Sequence, residues 1–170
     1  MTSACIALTA LTLCGAPQVP PSQQTTTDRL AEFVTREWPG ERQQQALTVT
    51  ALNLTADAID DVAKRNGVAA NELNRDISKL RELIERYSSG TPGDVEQTSR
   101  LERALKQAAS LINDLAAADH QRRTKPADLN AMERAVSSLD DDAPLRRQPD
   151  VIERFFTHAV ALLRGLNARP

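Results

Sequence analysis

Few residues of the chain have the types and spacing that metal binding or catalysis requires. The two histidines, His120 and His158, are far apart, with no His, Cys or Glu at ligand spacing, whereas a zinc site needs three or four converging ligands. The run Asp140-Asp141-Asp142 lacks the alternating ligands, the glycine and the terminal glutamate of an EF-hand calcium loop. No nucleophile elbow, phosphate-binding loop, dinucleotide fingerprint or HExxH motif occurs. We therefore predict a non-enzymatic protein with no cofactor, metal or small-molecule ligand.

Both cysteines, Cys5 and Cys14, lie in a leader of residues 1–27 that contains no charged side chain. The body of the chain therefore has neither a disulfide framework nor a cysteine-ligated metal. Residues 4–16 form an apolar stretch that is shorter than the roughly 20 residues of a membrane span. Its length suits the apolar region of a signal peptide, and the polar, proline-containing residues that follow are typical of an extended tether.

The leader also carries a pattern typical of lipid attachment. The run Leu11-Thr12-Leu13-Cys14-Gly15 resembles the lipobox of bacterial lipoproteins, in which the cysteine becomes the lipidated first residue of the mature chain. The resemblance implies lipidation at Cys14, with Cys5, which follows three small residues, as the alternative. We predict export to the cell envelope or periplasm, or secretion. A leader without an export role, on a cytoplasmic protein, is the alternative.

A second resemblance covers about twenty residues in the middle of the chain. Ala63 stands four residues before Gly67, and apolar residues occupy positions 62, 68 and 73. This pattern resembles the helix-turn-helix of lactose-repressor-type regulators. In that motif the alanine lets two helices cross closely and the glycine makes the turn between them.

The resemblance implies that the hairpin Val62–Lys79 binds DNA through its second helix. The implied contact residues are Asn71, Asn74, Arg75 and Lys79. Glu72 and Asp76 lie among them and repel phosphate, and the net charge of −2 provides no global basic field. A plain helical hairpin fits the same string, and the sequence leaves open whether Gly67 separates two helices or lies within one. We predict a protein partner or self-association rather than nucleic acid.

The elements that position these residues are helices. Alanine and leucine dominate the apolar residues, aromatics make up 3% and charged residues 26%, and no useful length alternates with the period of a strand. We predict an all-α fold in which residues 28–170 form one bundle of four to six helices with coiled-coil-like packing, behind a disordered leader. The expected helices are Asp28–Trp38, about Glu41–Asn66, Asn71–Tyr87, Pro92 to about Arg123, Asp128–Leu139 and Asp150–Leu166.

The helix Asn71–Tyr87 has the clearest amphipathic pattern. Its apolar residues recur at steps of four and three, which places them on one face, and we expect the bundle to be organised around it. The apolar face of Asp150–Leu166 is wider than one neighbour can cover, which is typical of a central helix or of an interface. Predicted contacts with a protein partner, on spare parts of these faces, are Leu73, Ile77, Leu80, Ile84, Tyr87, Phe155, Phe156 and Leu163.

The function predicted from these patterns is that of a non-enzymatic, lipoprotein-like or periplasmic helical protein that acts through protein–protein contacts. It would touch the membrane only through an N-terminal lipid. One alternative is a helix-turn-helix DNA-binding regulator that uses the Val62–Lys79 hairpin. The other is a secreted virulence factor or phage-encoded helical factor, because a leader without charge and rich in Ser, Thr, Pro and Gln also suits other export routes.

Overall fold

The computed structural model describes residues 24–36, 44–68, 70–91, 95–119, 125–139 and 148–168. Within these ranges the chain forms six α-helices and no strand, so the all-α prediction is confirmed. The helices are α1 (Thr26–Arg36), α2 (Gln44–Asn66), α3 (Ala70–Ser88), α4 (Val95–Ala118), α5 (Pro126–Ser137) and α6 (Pro149–Asn167). Each of these six is too short or too polar to traverse a lipid bilayer.

The first helix begins inside the predicted leader. Thr25 Oγ1 accepts a hydrogen bond from the Asp28 backbone N–H at 3.1 Å, and the Thr25 N–H donates to the Asp28 carboxylate at 3.3 Å. This reciprocal capping box satisfies backbone donors that have no partner within the helix. A threonine of the 25–27 run therefore caps the helix. Residues 26 and 27 belong to the bundle and not to the leader.

The fourth predicted helix is too long at its C-terminus. α4 ends at Ala118 rather than near Arg123. Pro126 occupies the first position of α5, after α4 has ended. The first residues of a helix have no partner for their backbone N–H within the helix, so proline loses no hydrogen bond there.

The six described helices form an inner group of three and an outer group of three. The inner helices α2, α4 and α6 contact one another pairwise. Each outer helix packs in the groove between two inner ones: α1 on α2 and α6, α3 on α2 and α4, and α5 on α4 and α6. The core is therefore centred on α2, α4 and α6.

Hydrogen bonds between helices show that the inner helices run in the same direction. Gln45 at the start of α2 and Gln97 at the start of α4 both donate to the Tyr87 carbonyl near the end of α3, at 3.0 and 3.2 Å. At the other end of α2, Asn66 donates to the Leu166 carbonyl in the last turn of α6, at 3.4 Å. The starts of α2 and α4 thus lie together, as do the ends of α2 and α6.

The outer helices run in the opposite direction. α3 begins beside the end of α2, after a short turn, and ends beside its start. In α5, Asp128 near the start lies 3.1 Å from His158, the middle residue of α6. From this contact α5 ends nine residues further on and α6 begins nine residues earlier, which fits an antiparallel pair. α1 begins beside the last turns of α2 and α6, where Asn167 donates to Thr27 Oγ1 at 3.3 Å.

The helix expected to organise the bundle, α3, is an outer helix, so that prediction is wrong. Its clean amphipathic pattern follows from this position, because a helix that packs on one side buries a single stripe. α2 shows a weaker pattern because α1, α3, α4 and α6 surround it. The wide apolar face of α6 does reflect a central position, with contacts to α1, α2, α4 and α5.

Gly67 makes the turn between α2 and α3, with φ of 64°. The Val68 N–H bonds the Ala63 carbonyl at 3.2 Å, and the Gly67 N–H bonds the Lys64 carbonyl at 3.4 Å. This pair of hydrogen bonds is the Schellman motif that ends many helices at a left-handed glycine. Gly67 therefore separates two helices, which the sequence had left open.

We expect Gly67→Ala to lower the free energy of unfolding by about 1–2 kcal/mol, the cost of a left-handed conformation with a Cβ. Nothing lies within 4 Å of a Cβ built at this position, so the loss reflects backbone conformation and not a clash. Gly67→Asn is the matched control and should cost less, because asparagine tolerates the left-handed region. Urea unfolding measures both, and an alanine variant as stable as the wild type would contradict this account of the turn.

Candidate functional site

The hairpin that resembles a DNA-binding motif is an antiparallel pair of long helices. Arg81 of α3 pairs with Asp57 of α2 at 2.7 Å halfway along, and Gln45 bonds the Tyr87 carbonyl at the far end. In a DNA-binding helix-turn-helix the two helices meet at about 90–120° and diverge beyond the turn, which frees the second helix for the major groove. α3 instead follows α2 along its length. This is the geometry of a helical hairpin within a bundle.

The side chains implied as DNA contacts are exposed, but they do not form a basic surface. They are Asn71, Asn74, Arg75 and Lys79. Glu72 is exposed among them and Asp76 is half-buried, so acidic groups interrupt the face.

The basic residues before the turn are already engaged. Lys64 contacts Asp60 at 2.7 Å, and the hydrogen bond with that carboxylate, followed by its charge, raises the pKa of Lys64. Arg65 donates to the Asn167 side chain at 2.7 Å. The hairpin therefore offers phosphate no continuous basic stripe, which is what non-specific DNA binding depends on.

The eight side chains predicted to contact a protein partner face the interior of the bundle. They are Leu73, Ile77, Leu80, Ile84, Tyr87, Phe155, Phe156 and Leu163, and none is more than 8% exposed. Neighbouring helices of the same chain cover them, since α3 packs on two inner helices and α6 is itself an inner helix. In the folded chain they form no surface for a partner, and one that reached them would have to displace a helix.

The cysteines, histidines and acidic run considered in the sequence lie partly inside and partly outside the described ranges. Cys5, Cys14, His120 and the Asp140-Asp141-Asp142 run lie outside the described residues. Within the described ranges no group of three or more His, Cys, Asp or Glu side chains gathers as a metal site. His158, which was expected to stand alone, has its Nδ1 atom 3.1 Å from an Asp128 carboxylate oxygen. This contact joins α5 to α6.

Two polar clusters that the sequence did not reveal hold the ends of the bundle. The first, called here the Tyr87 cluster, comprises Gln45, Thr48, Tyr87, Gly90 and Gln97. Gln45 Nε2 donates to the carbonyls of Tyr87 and Gly90 at 3.0 and 3.1 Å, and Gln97 Nε2 donates to the Tyr87 carbonyl at 3.2 Å. The last carbonyls of a helix have no partner within it. Glutamines from α2 and α4 therefore cap the end of α3.

Gly90 makes room for one of these glutamines. The Gln97 side chain is buried, at 2% exposed, and a Cβ at position 90 would lie 2.3 Å from its Nε2 atom and 2.6 Å from its Oε1 atom. A residue with a Cβ at position 90 would therefore require the Gln97 amide to move from its place on the Tyr87 carbonyl. Gln97 Oε1 accepts no conventional hydrogen bond within the described part of the chain and lies against the glycine backbone.

The second cluster, called here the α1 cluster, joins the first turn of α1 to the ends of α2 and α6. Thr26 Oγ1 donates to the Asp61 carboxylate of α2. Asn167 of α6 donates through Nδ2 to Thr27 Oγ1 at 3.3 Å. The members of these pairs are 35 and 140 positions apart in the sequence, so no local motif could have indicated them.

Tyr87 is the member of the Tyr87 cluster whose ionisation can be followed. Burial raises the pKa of its phenol from 10.0 to about 12, against a smaller lowering by the hydrogen bond with Thr48. The phenol therefore remains neutral over the whole physiological range. It acts as a packed core group with one polar contact and not as an acid or base.

We expect the protein to lose stability between pH 10 and 12 through Tyr87. The folded chain has the higher pKa, so ionisation of the phenol favours the unfolded chain. The contribution is complete below pH 10 and decreases as the pH rises, by about 2 kcal/mol at pH 12. Urea unfolding of the wild type and of Tyr87→Phe over this range isolates it as a difference in slope. Because Tyr87 is the only tyrosine, phenolate absorbance reports its pKa directly, and ionisation near pH 10 in the folded state would contradict the burial.

Comparison with known proteins adds nothing to this description of the bundle. Protein-family models, curated proteins and solved structures all give no match to the chain. Any function assigned to it therefore has to come from its own residues and geometry.

Proposed function

We propose that the chain is a non-enzymatic helical protein of the cell envelope, lipoprotein-like or periplasmic, that acts by contacting another protein. The observation that carries this proposal is the leader. Residues 1–27 have no charged side chain, residues 4–16 are apolar, and the run Leu11–Gly15 resembles a lipobox. A stretch of this kind ahead of a folded domain is typical of an export signal followed by a tether.

The position of the first helix is consistent with a leader that tethers the chain and a bundle that makes the protein contact. Thr25, which caps α1 together with Asp28, lies eleven residues after Cys14. The first turn of α1 lies beside the ends of α2 and α6. A tether attached there would hold the bundle by one end and leave its sides free.

The sides of the bundle supply the surface for the protein contact. The apolar residues that the sequence predicts for this contact are buried. The contact therefore has to use the exposed, mostly charged faces of the helices. α3, the longest of the outer helices at 19 residues, presents both signs of charge along its exposed face, including Arg75, Lys79, Glu82 and Glu85. Surfaces of this kind set the specificity and rate of association more than its strength. We therefore expect a reversible and salt-sensitive contact.

The intact mass and the membrane fractionation of the protein from its own host test the proposal. We expect a mature chain that begins at Cys14, carries the mass of a diacylglyceryl group and sediments with membranes. Cys14→Ser should abolish the added mass and the sedimentation, because the thiol is the attachment point. Cys5→Ser is the matched control and should change neither. A modified chain beginning at Cys5 would exchange the roles of the two cysteines.

The other outcomes separate the alternatives. A chain shortened within the leader but without added mass would keep the export and remove the lipid. A full-length, unmodified chain in the cytoplasm would overturn the envelope proposal. The α2–α3 hairpin would then be tested on DNA, with Arg75→Ala and Lys79→Ala as the variants expected to weaken binding.

A further inference from the structure

We propose that α1 is a strap that undocks from the groove between α2 and α6 as one unit, while α2 to α6 remain folded. The strap is the helix Thr26–Arg36. Docked, it covers part of that groove. Undocked, it opens the groove to solvent and adds its own 11 residues to the tether.

The topology lets α1 leave without disturbing the other helices. α2, α4 and α6 contact one another pairwise, and α3 and α5 pack in the two remaining grooves. Each of α3 and α5 joins two inner helices in the chain order, whereas α1 is joined to an inner helix on one side only. Undocking α1 therefore breaks one interface and leaves every connection between inner helices in place.

α1 has fewer buried apolar side chains than either of the other outer helices, α3 and α5. Its buried apolar side chains are Leu30 and Ala31, while Phe33 and Val34 are only partly buried. α3 buries five apolar side chains over its 19 residues, Leu73, Ile77, Leu80, Ile84 and Tyr87. α5, with 12 residues, buries three, Met132, Ala135 and Val136. With 11 residues, α1 is also shorter than the roughly 12–15 residues at which isolated helices become marginal in water. It is helical because it is docked, so undocking and unfolding of α1 are coupled.

Among the described residues, the polar contacts of α1 in its groove are two part-buried hydrogen bonds, Thr26 with Asp61 and Asn167 with Thr27, and one exposed charge pair. Thr26 donates to Asp61, which is half-buried on α2. Asp28 lies 3.9 Å from Arg164 of α6, with the two side chains 48% and 57% exposed. Exposed pairs of this sort contribute little to stability because water solvates both partners once they separate. They orient the first turn of α1 in its groove without strongly opposing its release.

Native-state hydrogen exchange on the full chain tests the strap. Amides in α1 from residue 30 onward should exchange together and about tenfold or more faster than those in the middle of α2 and α4, because sub-global openings expose the least stable unit first. Asp61→Ala removes the acceptor of Thr26 and should raise exchange further in α1 alone. Asp57→Ala is the matched control, since Asp57 also lies on α2 but pairs with Arg81 of α3, and it should leave α1 unchanged.

A second variant removes the main anchor of the strap. Leu30 is fully buried, so Leu30→Ala should leave α1 without protection while α2 to α6 still unfold cooperatively. The loss of helical circular dichroism should not exceed what the 11 residues of α1 supply. Exchange in α1 as slow as in the middle of α2, an even rise across all described helices in Asp61→Ala, or a larger loss of helix in Leu30→Ala would each overturn the proposal.

Discussion

The structure depends on the close packing of three parallel helices, α2, α4 and α6. Each has to bury side chains towards two inner neighbours and two outer ones, which favours small residues where backbones approach. Ala51, Ala56 and Ala58 of α2 and Ala104 and Ala108 of α4 are all fully buried. Parallel neighbours also align their helix dipoles unfavourably, and outer helices that run in the opposite direction offset this. The outer layer therefore stabilises the inner one electrostatically as well as by covering it.

The parallel inner helices also explain why the outer helices exist. A chain that leaves the end of one inner helix has to return along the bundle before it can start the next in the same direction. α3 makes this return between α2 and α4, and α5 makes it between α4 and α6. Their presence is required by the connectivity. Within the described chain α1 connects no two inner helices, so it is held by its contacts with α2 and α6 and not by the connectivity.

Local features of the fold could be predicted from the sequence because their causes are local. The helical periodicity depends on residues a few positions apart and shows where the helices lie. The glycine at position 67 is also visible in the sequence, which leaves open whether it separates two helices until the backbone of the turn is seen. The arrangement of the helices could not be predicted, because periodicity reports how much of a helix is covered and not by what. The apolar stripe of α3, which the sequence predicts as a partner contact, is instead covered by α2 and α4. The Tyr87 cluster joins Gln45 to a carbonyl 42 positions away, and only the folded backbone brings them together.

The two ends of α1 lie at different heights of the bundle. Its first turn contacts Asp61 in the last part of α2 and Asn167 at the end of α6. The chain that follows α1 enters α2 at Gln44, 17 residues before Asp61, or about 26 Å along the axis. The leader is thus attached at one pole of the domain while α1 is docked and at the opposite pole once α1 is released. For a domain held to a surface by its leader, that change turns the bundle end over end. Eleven residues would then decide which pole faces outward.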